Sequence, residues 1–191
     1  MCTKSLSRSP LVIGGSRAVA ASIATSLACF GDPALAFAKR RGIRVVPLGA
    51  TQRYRDVSSS LRRLDVDVDA WPVPPAGLFV VEERTVYLRS ASPMTVAHEF
   101  GHALDCALGG GVYRSGYDRA IRSAFANARD FVTPYAATGL DEYFAECIRA
   151  FVGVNDPHSS WPSATRERLR NVDPPIAAYI EELFARAFVD P

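Results

Sequence analysis

Apolar residues recur at helical spacing through much of the second half of the chain and alternate at strand spacing in short runs before it. The clearest helix is Leu140 to Phe151, where Phe144, Cys147, Ile148 and Phe151 form an i, i+3, i+4, i+7 stripe. Met94 to Leu108 is another, ended by Gly109-Gly110-Gly111, because glycine readily adopts the left-handed conformation that closes a helix. Ser115 to Phe131 carries Tyr117, Ile121 and Phe125 at helical spacing. Ser163 to Val172 and Pro174 to Phe188 read as two closing helices, the last with Ile176, Ile180, Leu183 and Phe184 turned inward. Earlier in the chain, Gly42 to Leu48 reads as a strand, and Arg53 to Leu64 as a helix with Tyr54, Val57, Leu61 and Leu64 on one face. Val66 to Trp71 alternates apolar and acidic residues, the pattern of a strand, and is ended by Pro72, Pro74 and Pro75. Ala76 to Arg89 holds two β-rich runs around a short charged turn, a hairpin pattern. Strands followed by helices predict an α+β fold: a small N-terminal mixed or antiparallel sheet packed on the helix over 94–108, with a helical C-terminal half.

The first 38 residues differ from the rest. Lys4, Arg8 and Arg17 precede the uncharged, mostly apolar run Ala18 to Phe30, and Ala36-Phe37-Ala38 then has the form of an A-x-A cleavage signal. This predicts a secretory signal peptide over 1–38, cut after Ala38, with residues 39–191 as one catalytic-size domain. The apolar run is short for a membrane span, and no other span candidate follows, so stable membrane insertion of the mature chain is not expected. Losing the leader removes three of 22 basic and one of 20 acidic residues, leaving nineteen of each. That balance leaves no basic field for nucleic acid. The expected product is an exported, secreted or cell-surface monomer. Cys106 and Cys147 are then the remaining cysteines. A disulfide between them would tie two helices together, which an oxidising compartment permits.

The chemistry lies in His98-Glu99-Phe100-Gly101-His102. On a helix, positions i and i+4 lie on nearly one face, so both imidazoles can reach a single metal ion. Glu99, about 100° around the helix, is placed to act as a general base on water without being a ligand. A catalytic zinc needs three protein ligands and an open position. The extended pattern HExxHxxGxxH fails, because Asp105 and Leu108 stand where Gly and His would be needed. His158 lies in the polar, turn-like Asn155 to Ser160 and reads as a surface residue. The third ligand is then a carboxylate or thiolate on another element, and the Leu140 helix offers acids beside its apolar stripe. Glu142 is the assigned ligand, with Asp141 as a competitor. Glu146, one turn on, would accept the other ring N–H of a ligating histidine, and Asp141 would serve the second histidine in the same way.

His98-Glu99-Phe100-Gly101-His102-Ala103-Leu104-Asp105, followed by Tyr135 and Glu142-Tyr143-Phe144-Ala145-Glu146, resembles the catalytic domain of anthrax lethal factor and the related secreted Pro-Pro endopeptidases, which share a gluzincin-type core. The resemblance spans roughly residues 75–155 and implies a zincin-like zinc metalloendopeptidase acting on peptide or protein substrates. It implies one Zn²⁺ held by His98, His102 and Glu142, with Glu99 activating water and the Tyr135 hydroxyl stabilising the developing oxyanion. Nothing in the chain is long enough to supply lethal factor's receptor-binding and docking regions, so a kinase-directed toxin role is not implied. An edge strand of the 76–89 hairpin would suit pairing with an extended substrate. The competing function is a secreted binding or adhesion domain that keeps the fold without turnover. An intact Glu99 and Tyr135 argue against it.

Overall fold

In the computed structural model, residues 11–156 and 164–188 are described. The elements in order are α1 (Arg17–Ala28), α2 (Asp32–Arg40), β1 (Arg44–Pro47), α3 (Tyr54–Val57), α4 (Ser59–Arg63), β2 (Gly77–Val80), β3 (Thr85–Leu88), α5 (Pro93–Leu108), α6 (Arg119–Asn127), α7 (Leu140–Val152), α8 (Arg166–Val172) and α9 (Pro174–Arg186). The fold is α+β: a three-stranded mixed sheet in the order β1-β3-β2, followed by a helical C-terminal half. β1 runs parallel to β3, with Val45 opposite Val86, and β2 runs antiparallel to β3, with Phe79 opposite Val86. All four residues of β3 are buried, so the central strand is covered on both faces. Val86 and Leu88 join the main core with α5, whereas Tyr87 joins Tyr54, Leu61, Val68 and Val80 in a smaller cluster.

α5 begins at Ser92, whose hydroxyl accepts the Thr95 N–H, with Pro93 in its first turn. It crosses α7 at Gly101, where an added Cβ would meet the Ala145 backbone at 3.1 Å. This close approach brings the two histidine positions of α5 against the first turns of α7. Cys106 and Cys147 are both free and buried, so the expected disulfide is absent. The crossing point explains why. Cys106 lies five residues past Gly101, about 140° around its helix, and Cys147 lies about 200° past Ala145, so both turn away from the contact.

Two local expectations fail for an identifiable reason. The helix expected over Arg53–Leu64 breaks at Ser58, which takes an extended backbone and caps α4 through Leu61 N–H. The Glu83 carboxylate gathers this break: it accepts from Ser58 Oγ at 3.1 Å, Ser59 Oγ at 2.8 Å, Ser60 N–H at 2.6 Å and the Tyr87 hydroxyl at 2.5 Å. The strand expected over Val66–Trp71 is instead a 3₁₀ turn at Val68–Ala70. Asp67 and Asp69 pair with Arg53, Arg55 and Arg89, and Asp69 also accepts the Tyr54 N–H, so local ion pairs replace a strand partner.

Burial opposes ionisation of Glu83, but its four donors outweigh burial and bring its pKa down from 4.5 to about 2. Because the folded value lies below the unfolded one, this stabilisation is complete above the ordinary carboxylate range and is lost as pH falls toward about 2. The melting temperature of Glu83→Gln is therefore expected to fall below that of the wild type at neutral pH and to converge with it near pH 2. A parallel offset across the whole pH range would assign Glu83 a packing role only.

The stretch carrying the leader pattern is folded into the core. α1 and α2 meet at a bend of 113°, and among the described residues no single helix is long and apolar enough to cross a membrane. Ile23, Leu27, Phe30, Ala34, Phe37 and Ala38 are buried. Phe30 packs edge-on against Phe100 of α5 at 4.8 Å, and Phe37 packs against Phe188 at 5.3 Å. Before α1, Ile13 N–H donates to Val45 O and Leu11 O accepts from Val45 N–H, closing the outer edge of β1. Among the described residues, β2 is left as the open edge of the sheet.

Candidate metal centre and active-site cleft

The crossing of α5 and α7 sets three side-chain atoms facing one another. His98 Nε2 lies 3.1 Å from His102 Nε2 and 3.1 Å from Glu142 Oε2, and His102 Nε2 lies 3.3 Å from the same oxygen. Two imidazole nitrogens and a carboxylate oxygen can hold a metal ion in common. The triangle can be tested against coordination geometry. Ligands at about 2.0–2.1 Å from a tetrahedral ion stand roughly 3.3 Å apart, close to the three observed edges. Among the described residues the buried Glu142 Oε2 meets only these two histidine nitrogens, a convergence of lone-pair groups that a cation between them would satisfy. Electrostatics agree. Burial opposes a charged His98, yet Glu142 and Glu146 raise its pKa to about 10, while the two histidines hold Glu142 well below the usual carboxylate range. The residues present fit a divalent cation bound through nitrogen and oxygen.

The remaining predicted positions fall around this triangle. Glu146 accepts from His98 Nδ1 at 2.9 Å, fixing the ring so that Nε2 points inward. Asp141 does not join His102, whose Nδ1 has no partner among the described residues; the Asp141 carboxylate lies by Gly139 instead. Asp141 is also outside the group of three able to share a metal. Tyr135 sits in a 3₁₀ turn over Tyr135–Thr138; its hydroxyl donates to Glu142 Oε1 at 3.0 Å, and its ring lies 5.5 Å from that of His98. Burial and the nearby Glu142 push the Tyr135 pKa up, so the phenol is a proton-bearing donor. Burial also raises the Glu99 carboxyl, against the pull of both histidines, which keeps it a stronger base than an exposed glutamate. His158 lies outside the described residues.

Glu99, His98 and Tyr135 border one cleft of about 520 Å³, whose other wall is apolar: Trp71, Val73, Pro74, Pro75 and Met94. The open edge strand β2 enters it at Gly77. A Cβ at Gly77 would lie 2.5 Å from Glu99 Cγ and 2.9 Å from Thr95 Cγ2, so only glycine lets the strand approach Glu99 this closely. The hairpin run next to α5 in sequence, β3, is the central strand, and the first run supplies the edge. Sequence reasoning passed over three contributors: Gly77, Thr133, which donates to Glu146 at 2.6 Å, and Arg149, which grips Glu146. Arg149, one helical turn from Glu146, carried a usable signal in the i, i+3 charge pair. Gly77, at the head of a β-rich run, carried a weaker one.

No protein-family model and no curated protein matches the chain. Among solved structures, the Pro-Pro endopeptidase PPEP-2 from Paenibacillus alvei superposes with a TM-score of 0.64 at 19% identity, covering 91% of this chain and 97% of its own. The fold is that of a Pro-Pro endopeptidase. At this identity the likeness speaks for the fold and not for the activity.

Proposed function

We propose that the protein is a zinc-dependent endopeptidase of the lethal-factor and Pro-Pro-endopeptidase type. The observation that carries this is the triangle of His98 Nε2, His102 Nε2 and Glu142 Oε2 with edges of 3.1–3.3 Å, opening on the cleft that Glu99 and Tyr135 line. His₂Glu is a ligand set used by catalytic zinc sites that keep one position open. Bound there, zinc supplies a Lewis acid and acidifies water toward neutrality.

The chain's own residues then have separable tasks. Glu99, held against Gly77 and Thr95, takes the proton from the attacking water and delivers it to the departing amide nitrogen. The Tyr135 hydroxyl stands beside the ligand set, where a phenol donor stabilises charge on the scissile carbonyl oxygen. Gly77 and the open edge of β2 offer backbone groups to an extended peptide, and the Trp71, Val73 and Met94 wall favours apolar residues beside the scissile bond.

The test is mass spectrometry of products from a diverse peptide mixture, Pro-Pro bonds included, with and without a zinc chelator. Endoproteolytic cleavage that stops with chelator and returns with added zinc is the expected result. Tight zinc binding with no cleavage of any peptide would favour a binding domain that keeps the fold. Cleavage that persists after complete zinc removal would overturn the proposal.

A further inference from the structure

We infer that Arg149 is a positioning residue governing two parts of the site at once: the orientation of His98 and the turn that carries Tyr135. The inference rests on reading the centre as a metal site. Glu146 is the hub. One of its carboxylate oxygens accepts from His98 Nδ1 at 2.9 Å and from Arg149 Nε at 2.8 Å. The other accepts from Thr133 Oγ1 at 2.6 Å and from an Arg149 terminal nitrogen at 2.8 Å. Thr133 Oγ1 in turn accepts the Ala136 N–H at 3.2 Å, inside the turn that presents Tyr135. One carboxylate therefore aims a ligand ring and pins the phenol's turn.

A carboxylate that is 3% exposed is stable there only with a countercharge. His98 cannot provide one while it binds a metal as a neutral imidazole. Arg149 can: it is completely buried, cannot lose its proton, and meets both Glu146 oxygens with a planar fork. The fork is itself oriented from behind. The remaining Arg149 nitrogen donates to Asn155 Oδ1 at 2.8 Å and Val154 O at 3.3 Å, and Asn155 Nδ2 donates to Ala164 O at 2.7 Å. Contacts thus run without a break from the segment after α7 to the metal ligand. Lysine would keep the charge but offers a point ammonium, which cannot span both Glu146 oxygens and Asn155 together.

Zinc affinity of Arg149→Lys, measured by competition with a chromophoric chelator well below the melting temperature, is expected to fall about 10–100-fold, with a lower kcat per bound zinc. Thr133→Val, which cuts only the branch toward Tyr135, is expected to lower kcat while zinc affinity stays within about threefold. A purely structural Arg149 would lower the melting temperatures of the zinc-free and zinc-loaded forms alike and leave the affinity unchanged. Wild-type affinity in folded Arg149→Lys overturns the inference. Should that variant fail to fold, Asn155→Ala decides: a loss of several-fold in affinity supports the inference, and wild-type affinity overturns it. If the wild type itself binds no zinc, the metal-site reading falls; if it binds and the variants bind equally, only the role of Arg149 does.

Discussion

Glu99→Gln is expected to slow peptide hydrolysis by about 10²–10⁴-fold, the range lost with a general acid–base group, while the protein still binds one equivalent of zinc. The substitution isolates proton transfer. Glu99 lies outside the three side chains whose atoms converge, so metal binding does not depend on it. Glutamine keeps the shape packed against Gly77 and Thr95, which leaves the edge of β2 where it is. What it cannot do is take a proton from water and return it to the leaving amine. Parallel measurement of kcat and of zinc content by elemental analysis checks both halves. Undiminished hydrolysis by the glutamine variant would remove Glu99 as the base. Loss of zinc along with activity would mean that the side chain acts through the metal site instead.

Deleting residues 1–38 is expected to give a polypeptide that does not fold. The deletion strips Ile23, Leu27, Phe30 and Phe37 from the core and bares the surfaces of Phe100 and Phe188 that they cover. At about 1.5–3 kcal/mol for each large apolar side chain buried, these four alone contribute about 6–12 kcal/mol. A domain of this size has only about 5–15 kcal/mol in total. The damage reaches the site directly, because Phe100 lies between the two histidines on α5 and packs on Phe30. Circular dichroism and a thermal melt of the 39–191 fragment beside the full chain provide the measurement. A fragment that melts cooperatively and hydrolyses peptides would show that the first two helices are dispensable to the domain, as a cleaved leader requires.

Much of the fold and the centre could be read from local pattern, because the relevant information is local. His98 and His102 share a helix face through backbone geometry alone, and the stripe of Phe144, Cys147, Ile148 and Phe151 names the inner side of α7 before any neighbour is known. Where partners are distant in sequence, pattern misled. Asp67 and Asp69 look like the solvent face of a strand, yet they meet Arg53, Arg55 and Arg89. Ala18 to Phe30 has the composition of a leader, and nothing local in it names Phe100 as the side chain that Phe30 meets.

By itself, then, the order of residues determined the α+β class, the paired imidazoles, the adjacent base and the acidic turn that would complete the ligand set. Tertiary structure alone decided that Glu142 meets the histidines while Asp141 does not, that Cys106 and Cys147 diverge, and that Arg149 stands behind Glu146. The physical reason is the crossing of α5 and α7 at Gly101 and Ala145. Rotating either helix about its axis at that contact would exchange which side chains converge, and nothing in the periodicity of one helix specifies its angle to another.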